Sequence, residues 1–135
     1  MRLVWSAVLL GACNGETTGT TGVDPGPQCI PDSEWQLVLT ESEGSDALCS
    51  ESSTLIDHSA GGTLVVPCPT GCTCAEDTAD DCTYTLSQTC TIGANTTQTD
   101  CTYALAESGI TGSCTKQQTG EISITCYYDV VGTPQ

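Results

Sequence analysis

From Cys29 to the C-terminus the chain carries ten cysteines in 107 residues: Cys29, Cys49, Cys68, Cys72, Cys74, Cys82, Cys90, Cys101, Cys114 and Cys126. That density belongs to disulfide scaffolds. The apolar composition shows why it matters. The 123 residues after Ala12 contain 7 Leu, 6 Ile and 6 Val, with no Phe and no Met. So few aliphatics combined with a formal charge of −15 would ordinarily leave a chain disordered. Covalent loop closure stabilises by about 2–4 kcal/mol per bridge, so five bridges can replace what a thin core lacks. The expectation is one small oxidised domain, residues 29–135, formed outside the reducing cytosol. Ten cysteines allow about 945 pairings, and the connectivity stays open at this level.

Within that domain the alternation is that of strands, and the expected fold is an all-β, disulfide-rich antiparallel sheet or sandwich. Trp35–Thr40 and Thr63–Val66 are short β-favouring runs between polar and glycine-containing segments. Ser45–Ile56, with Asp46 near its start and Leu48, Cys49, Leu55 and Ile56 at helical spacing, is the one helix the pattern predicts. Asp81-Cys82-Thr83-Tyr84-Thr85-Leu86 recurs as Asp100-Cys101-Thr102-Tyr103-Ala104-Leu105, which predicts a duplicated Cys-Thr-Tyr hairpin. Cysteines share parity with apolar neighbours: Cys82 with Tyr84 and Leu86, Cys101 with Tyr103 and Leu105, Cys114 with Ile110, and Cys126 with Ile124, Tyr128 and Val130. They therefore point toward the core. A three-residue loop Ser87-Gln88-Thr89 would pair Leu86 with Cys90 and separate Cys82 from Cys90 by about 13 Å, too far for a bridge. Those two cysteines should have different partners.

The N-terminal stretch reads differently. After Arg2 comes an apolar run, Leu3–Leu10, ending in Leu10-Gly11-Ala12-Cys13. A leucine, two small residues and a cysteine resemble the lipobox of bacterial lipoproteins. The resemblance implies a signal peptide over residues 1–12 and lipid on Cys13, which becomes the first mature residue. Removing Cys13 from the 11 cysteines leaves an even ten. The apolar run is far shorter than the ~20 residues of a spanning helix. Residues 13–28, rich in Gly, Thr and Pro, read as a flexible tether. Asn14 follows the cysteine where an aspartate would favour inner-membrane retention, so the outer membrane of the cell envelope is the expected location and the membrane the expected partner. After loss of Arg2 the 17 carboxylates face Lys116 alone, a formal charge of 1 − 17 = −16. Such a surface excludes nucleic acid, whose binding depends on cationic neutralisation of phosphates. A protein or glycan partner is compatible with it.

Candidate chemistry is sparse. Glu76, Asp77, Asp80 and Asp81 gather four carboxylates in six residues, a composition suited to calcium, but without the alternating acids and central glycine of an EF-hand; a solvated acidic loop is the simpler reading. No other cofactor is indicated. Cys68, Cys72 and Cys74 have a spacing compatible with a soft metal, yet the seven further cysteines of the domain favour disulfides over reduced thiolates. His58, the only histidine, has no GxSxG or comparable signature beside it. Trp35, Tyr127 and Tyr128 are possible sugar-stacking rings, although Trp35 suits a core and one of the adjacent tyrosines must face outward on any strand. Asn95-Thr96-Thr97 matches a glycosylation sequon, idle in a bacterial host. The leading expectation is a membrane-anchored lipoprotein displaying a rigid, non-catalytic β domain as an interaction or structural module. The alternatives are a small enzyme inhibitor presenting Gly93–Asp100 as a loop, a hydrolase with its site in bridge-bounded loops, or a calcium-binding, adhesin-like module.

Overall fold

The computed structural model describes residues 26–50 and 52–135. Cys13 and the stretches expected to be a signal peptide, residues 1–12, and most of a tether, residues 13–28, lie outside the described residues. Among the described residues all regular structure is strand: β1 (Ser33–Glu41), β2 (Ser52–Ala60), β3 (Thr63–Val65), β4 (Cys72–Thr78), β5 (Thr83–Ile92), β6 (Asn95–Ala106), β7 (Gly109–Thr119) and β8 (Ile124–Pro134). They form a single antiparallel sheet in the order β3-β2-β1-β8-β7-β6-β5-β4. Because β1 pairs with β8, the described residues run up and down around a nearly closed barrel with a seam between β3 and β4. The all-β expectation holds, with one curled sheet rather than two stacked ones.

Two devices hold the seam. The hydroxyls of Thr63 and Thr78 hydrogen-bond across it, and the Cys29–Cys82 disulfide ties the segment entering β1 to the turn before β5. Cys29 and Ile30 also donate their amides to the Gly62 carbonyl at 2.8 and 3.1 Å. Gly62 is required there: it has φ +90°, and a Cβ would meet the Pro27 carbonyl at 2.6 Å.

The core occupies the end of the barrel where β1 begins and β8 finishes. Trp35, Leu37, Leu64, Tyr84, Ile110 and Val130 are fully buried there. Inward glycines make room for large partners. Gly132 lies between Leu37 and Ile110 in register, and Gly112 between Tyr103 and Val130. Buried Trp35 donates its Nε1–H to Ser59 Oγ at 2.9 Å, and Ser59 donates in turn to the Pro31 carbonyl at 2.6 Å. The one polar atom of the main core aromatic is thereby satisfied.

All ten cysteines are paired: Cys29–Cys82, Cys49–Cys126, Cys68–Cys74, Cys72–Cys90 and Cys101–Cys114. Cys82 and Cys90 do have different partners, but not for the geometric reason expected. Ser87, Gln88 and Thr89 are mid-strand residues of β5, and the chain turns at Gly93-Ala94, where Gly93 has φ +62°. Only there does the sequence offer a residue suited to left-handed backbone. The two Cys-Thr-Tyr copies are accordingly the two arms of one hairpin: Tyr84 opposes Tyr103, and their rings stack with centroids 5.7 Å apart. The Gly93–Asp100 loop is absent, since Asn95 onward belongs to β6.

The helix predicted for Ser45–Ile56 does not form. Its acidic start serves another purpose: the Asp46 carboxylate accepts from the Thr125 amide at 2.6 Å and Ser45 Oγ from the Tyr127 amide at 2.8 Å. These side chains satisfy the edge of β8 beyond the end of β1, and Cys49–Cys126 locks the segment down. From Ser52 the residues alternate as a strand, with Leu55 opposite inward-facing Leu37 and Ile56 on the other face.

Candidate functional site

Successive inward rows of the barrel change in character along its axis. Beyond the core, Leu86, Cys101, Cys114 and Tyr128 stand side by side on β5, β6, β7 and β8, all buried. One step further out the same strands present Gln88, Thr99, Lys116 and Cys126. The next step presents Cys90, Thr97, Gln118 and Ile124. Each step is two residues along every strand, so the sheet carries these groups to the same wall by its pleat alone. An apolar, disulfide-lined floor therefore gives way to a polar mouth.

The mouth is hollow. A cavity of about 390 Å³ is walled by Leu39 and Tyr128 on one side, Ser53 and Leu55 on β2, and Gln88, Thr99 and Lys116 opposite. An eight-stranded barrel is just wide enough to be filled by side chains or to hold one small ligand, and here the filling stops at the Cys101–Cys114 floor. Leu55 faces inward yet remains 46% exposed. Lys116 also borders a smaller adjoining recess of about 110 Å³ beside Leu48, Cys49 and Ile124. The rim carries exposed apolar residues, Leu48, Ile92 and Ile122. On this side β2 extends past three-residue β3, so the wall between β2 and β4 is open as well.

Nearer the core, Asp57 faces inward opposite Trp35. Burial is the main cause that raises its carboxyl above the ordinary value of 3.8; His58 opposes the shift and Glu76 adds to it. Burial pushes the Tyr103 phenol up to about 12, with a further contribution from Asp57, and raises Tyr84 as well. Tyr84 donates to Glu76 Oε1 at 3.4 Å. In each case desolvation disfavours the charged form.

The residues singled out from sequence do not converge. Glu76 and Asp77 sit next to each other on β4 and so face opposite sides of the sheet, Glu76 beside Leu86 and Asp77 beside Thr85. Asp80 and Asp81 follow in the turn, where Asp81 Oδ1 accepts the Thr83 amide at 3.1 Å. Among the described residues no group of three His, Cys, Asp or Glu side chains is placed to hold a metal. Cys68, Cys72 and Cys74 are engaged in disulfides. His58 is exposed on β2, beside Glu34 and Val65, and the strand turns it away from inward-facing Asp57. Trp35 is in the core, Tyr127 outside and Tyr128 in the cavity wall, so the three aromatics make no common platform. A shallow outer groove of about 290 Å³ crosses β4, β5 and β6, but Ser87 and Gln98 already satisfy its Asp100 carboxylate at 2.8 and 3.0 Å.

Gln88, Thr99 and Lys116 carried no motif and were missed. Their signal is parity: each stands two residues along its strand from an inward-facing cysteine, Cys90, Cys101 and Cys114. The outer face of β5 and β6 is polar, with Thr83, Thr85, Ser87, Thr89, Gln98, Asp100 and Thr102 outward, whereas Val38, Ile56, Val65 and Val131 are exposed on β1, β2, β3 and β8. Comparison with protein-family models, with curated proteins and with solved structures finds no match.

Proposed function

We propose that this chain is an exported lipoprotein, anchored in the cell envelope through lipid on Cys13, whose barrel is a non-catalytic binding module with its open cup as the recognition surface. The observation that carries the reading is the switch along the inward rows from a packed, disulfide-lined floor to the hollow polar mouth formed by Gln88, Thr99, Lys116 and Ser53. Small-molecule sites are concave, mostly apolar and equipped with a few placed polar groups, and five disulfides hold this one rigid without a ligand. The separation of His58 from Asp57 across the sheet supports a module without hydrolytic machinery. Ten paired cysteines accord with an oxidising compartment.

Two measurements test the reading. The full-length protein should partition into the detergent phase, and Cys13→Ala should return it to the aqueous phase; an unlipidated N-terminus by mass spectrometry refutes the anchor. In a fragment screen by amide NMR, hits should cluster on Gln88, Thr99, Lys116 and Tyr128. Hits confined to the outer face, or none at all, refute the cup as the recognition surface.

A further inference from the structure

Resting on the cup as the recognition surface, we infer that its ligand is a small monoanionic amphiphile: a carboxylate or similar single charge carrying a compact apolar group. The chain has 17 carboxylates, and its cations are Arg2 and Lys116. Lys116 lies in the cup wall, and among the described residues none of the cavity's lining groups is acidic. Among the described residues the one charged group that lines this concavity is therefore a cation, in a molecule of strongly negative total charge. Gln88 and Thr99 stand in the same cross-strand row as Lys116, so amide and hydroxyl donors flank the ammonium on the side where an anionic head would sit. Charge-assisted hydrogen bonds of this kind are stronger than neutral ones.

The opposite wall specifies the other half of the ligand. Leu39, Leu55 and the Tyr128 ring are apolar and converge on the same space, and Leu55 has nearly half its surface in contact with water. An apolar tail covering it would remove that surface from solvent. The volume of about 390 Å³ lies near the lower end of the roughly 300–1,000 Å³ typical of small-molecule pockets, which excludes polymers and long-chain lipids from full enclosure. The outer carboxylates repel anions at long range, but salt screens them beyond about 10 Å at 0.1 M, whereas Lys116 acts at contact.

The probes are octanoate and its neutral isostere octanamide, titrated calorimetrically and by amide NMR into the oxidised full-length protein. Octanoate should bind and shift Gln88, Thr99, Lys116 and Tyr128. Lys116→Gln, an exposed-site change that leaves the core intact, should weaken octanoate by about tenfold or more, the loss of one charged hydrogen bond, and leave octanamide unchanged. Equal affinity for the two probes, insensitivity to Lys116→Gln, or fragments entering the cup while octanoate does not would each overturn the anionic ligand and leave the cup standing. A cup that admits neither octanoate nor any fragment overturns both.

Discussion

The bridges of this domain should differ in their contribution according to the loops they close, and the contrast between Cys49–Cys126 and Cys68–Cys74 is the sharpest available. In the chain-entropy account a bridge restricts the unfolded chain by an amount that grows with the logarithm of the loop. Cys49 and Cys126 are 77 residues apart, which gives about 4.5 kcal/mol at room temperature. Cys68 and Cys74 are 6 apart, which gives about 2.2 kcal/mol. The other four bridges shorten the long loop in the unfolded state, but halving it would subtract only about 0.6 kcal/mol. Replacing Cys126 also truncates a buried side chain, adding about 1 kcal/mol, whereas Cys68 is exposed. The double variant Cys49→Ala/Cys126→Ala should therefore lose about 2–3 kcal/mol more than Cys68→Ala/Cys74→Ala, a melting-point gap on the order of 10 °C. Guanidinium unfolding followed by far-ultraviolet circular dichroism measures both. Equal losses, or a larger loss for the short loop, would refute loop entropy as the main source of stability here.

Three further outcomes follow from the interior. Asp57 holds its proton more tightly folded than unfolded, so stability falls as pH rises from 3.8 through the raised folded value; Asp57→Asn should be more stable than the parent at neutral pH, and the difference should vanish in acid, as read by denaturation at several pH values. Tyr103 ionises near 12 when folded against 10.0 ordinarily, and Tyr84 is raised too. Above pH 10 the unfolded chain releases these protons first, so stability should drop, and an ultraviolet titration should show two of the four tyrosines silent until unfolding. At Gly112 an added Cβ would lie 2.7 Å from Tyr103 Cα and Cδ1. Gly112→Ala should cost about 1–3 kcal/mol, while Gly26→Ala, with nothing within 4 Å, should be neutral in thermal melts.

Much of the barrel was legible before its shape was known, because strand direction is a local property. Neighbouring side chains on a strand alternate faces whatever the partner, so the inward aim of Cys101, Tyr103 and Leu105, or of Cys126, Tyr128 and Val130, could be read one residue at a time. The need for disulfides was equally legible, since a count of aliphatic residues bounds the core in any fold. Misreadings arose where a segment's fate depends on a distant strand. Ser45–Ile56 has passable helical spacing, but the free amides of Thr125 and Tyr127 require Asp46 and Ser45, and Leu55 gains a place beside Leu37 only as a strand. Ser87–Thr89 reads as a turn until β6 supplies partners for every residue from Thr83 to Ile92. The cup lies furthest from the sequence. Lys116, Thr99 and Gln88 meet because three antiparallel registers place them in one row, and β1 pairing with β8 bends that row into a wall. Alternation says only that a side chain points inward; register and closure, which depend on residues far away in the chain, set what it faces.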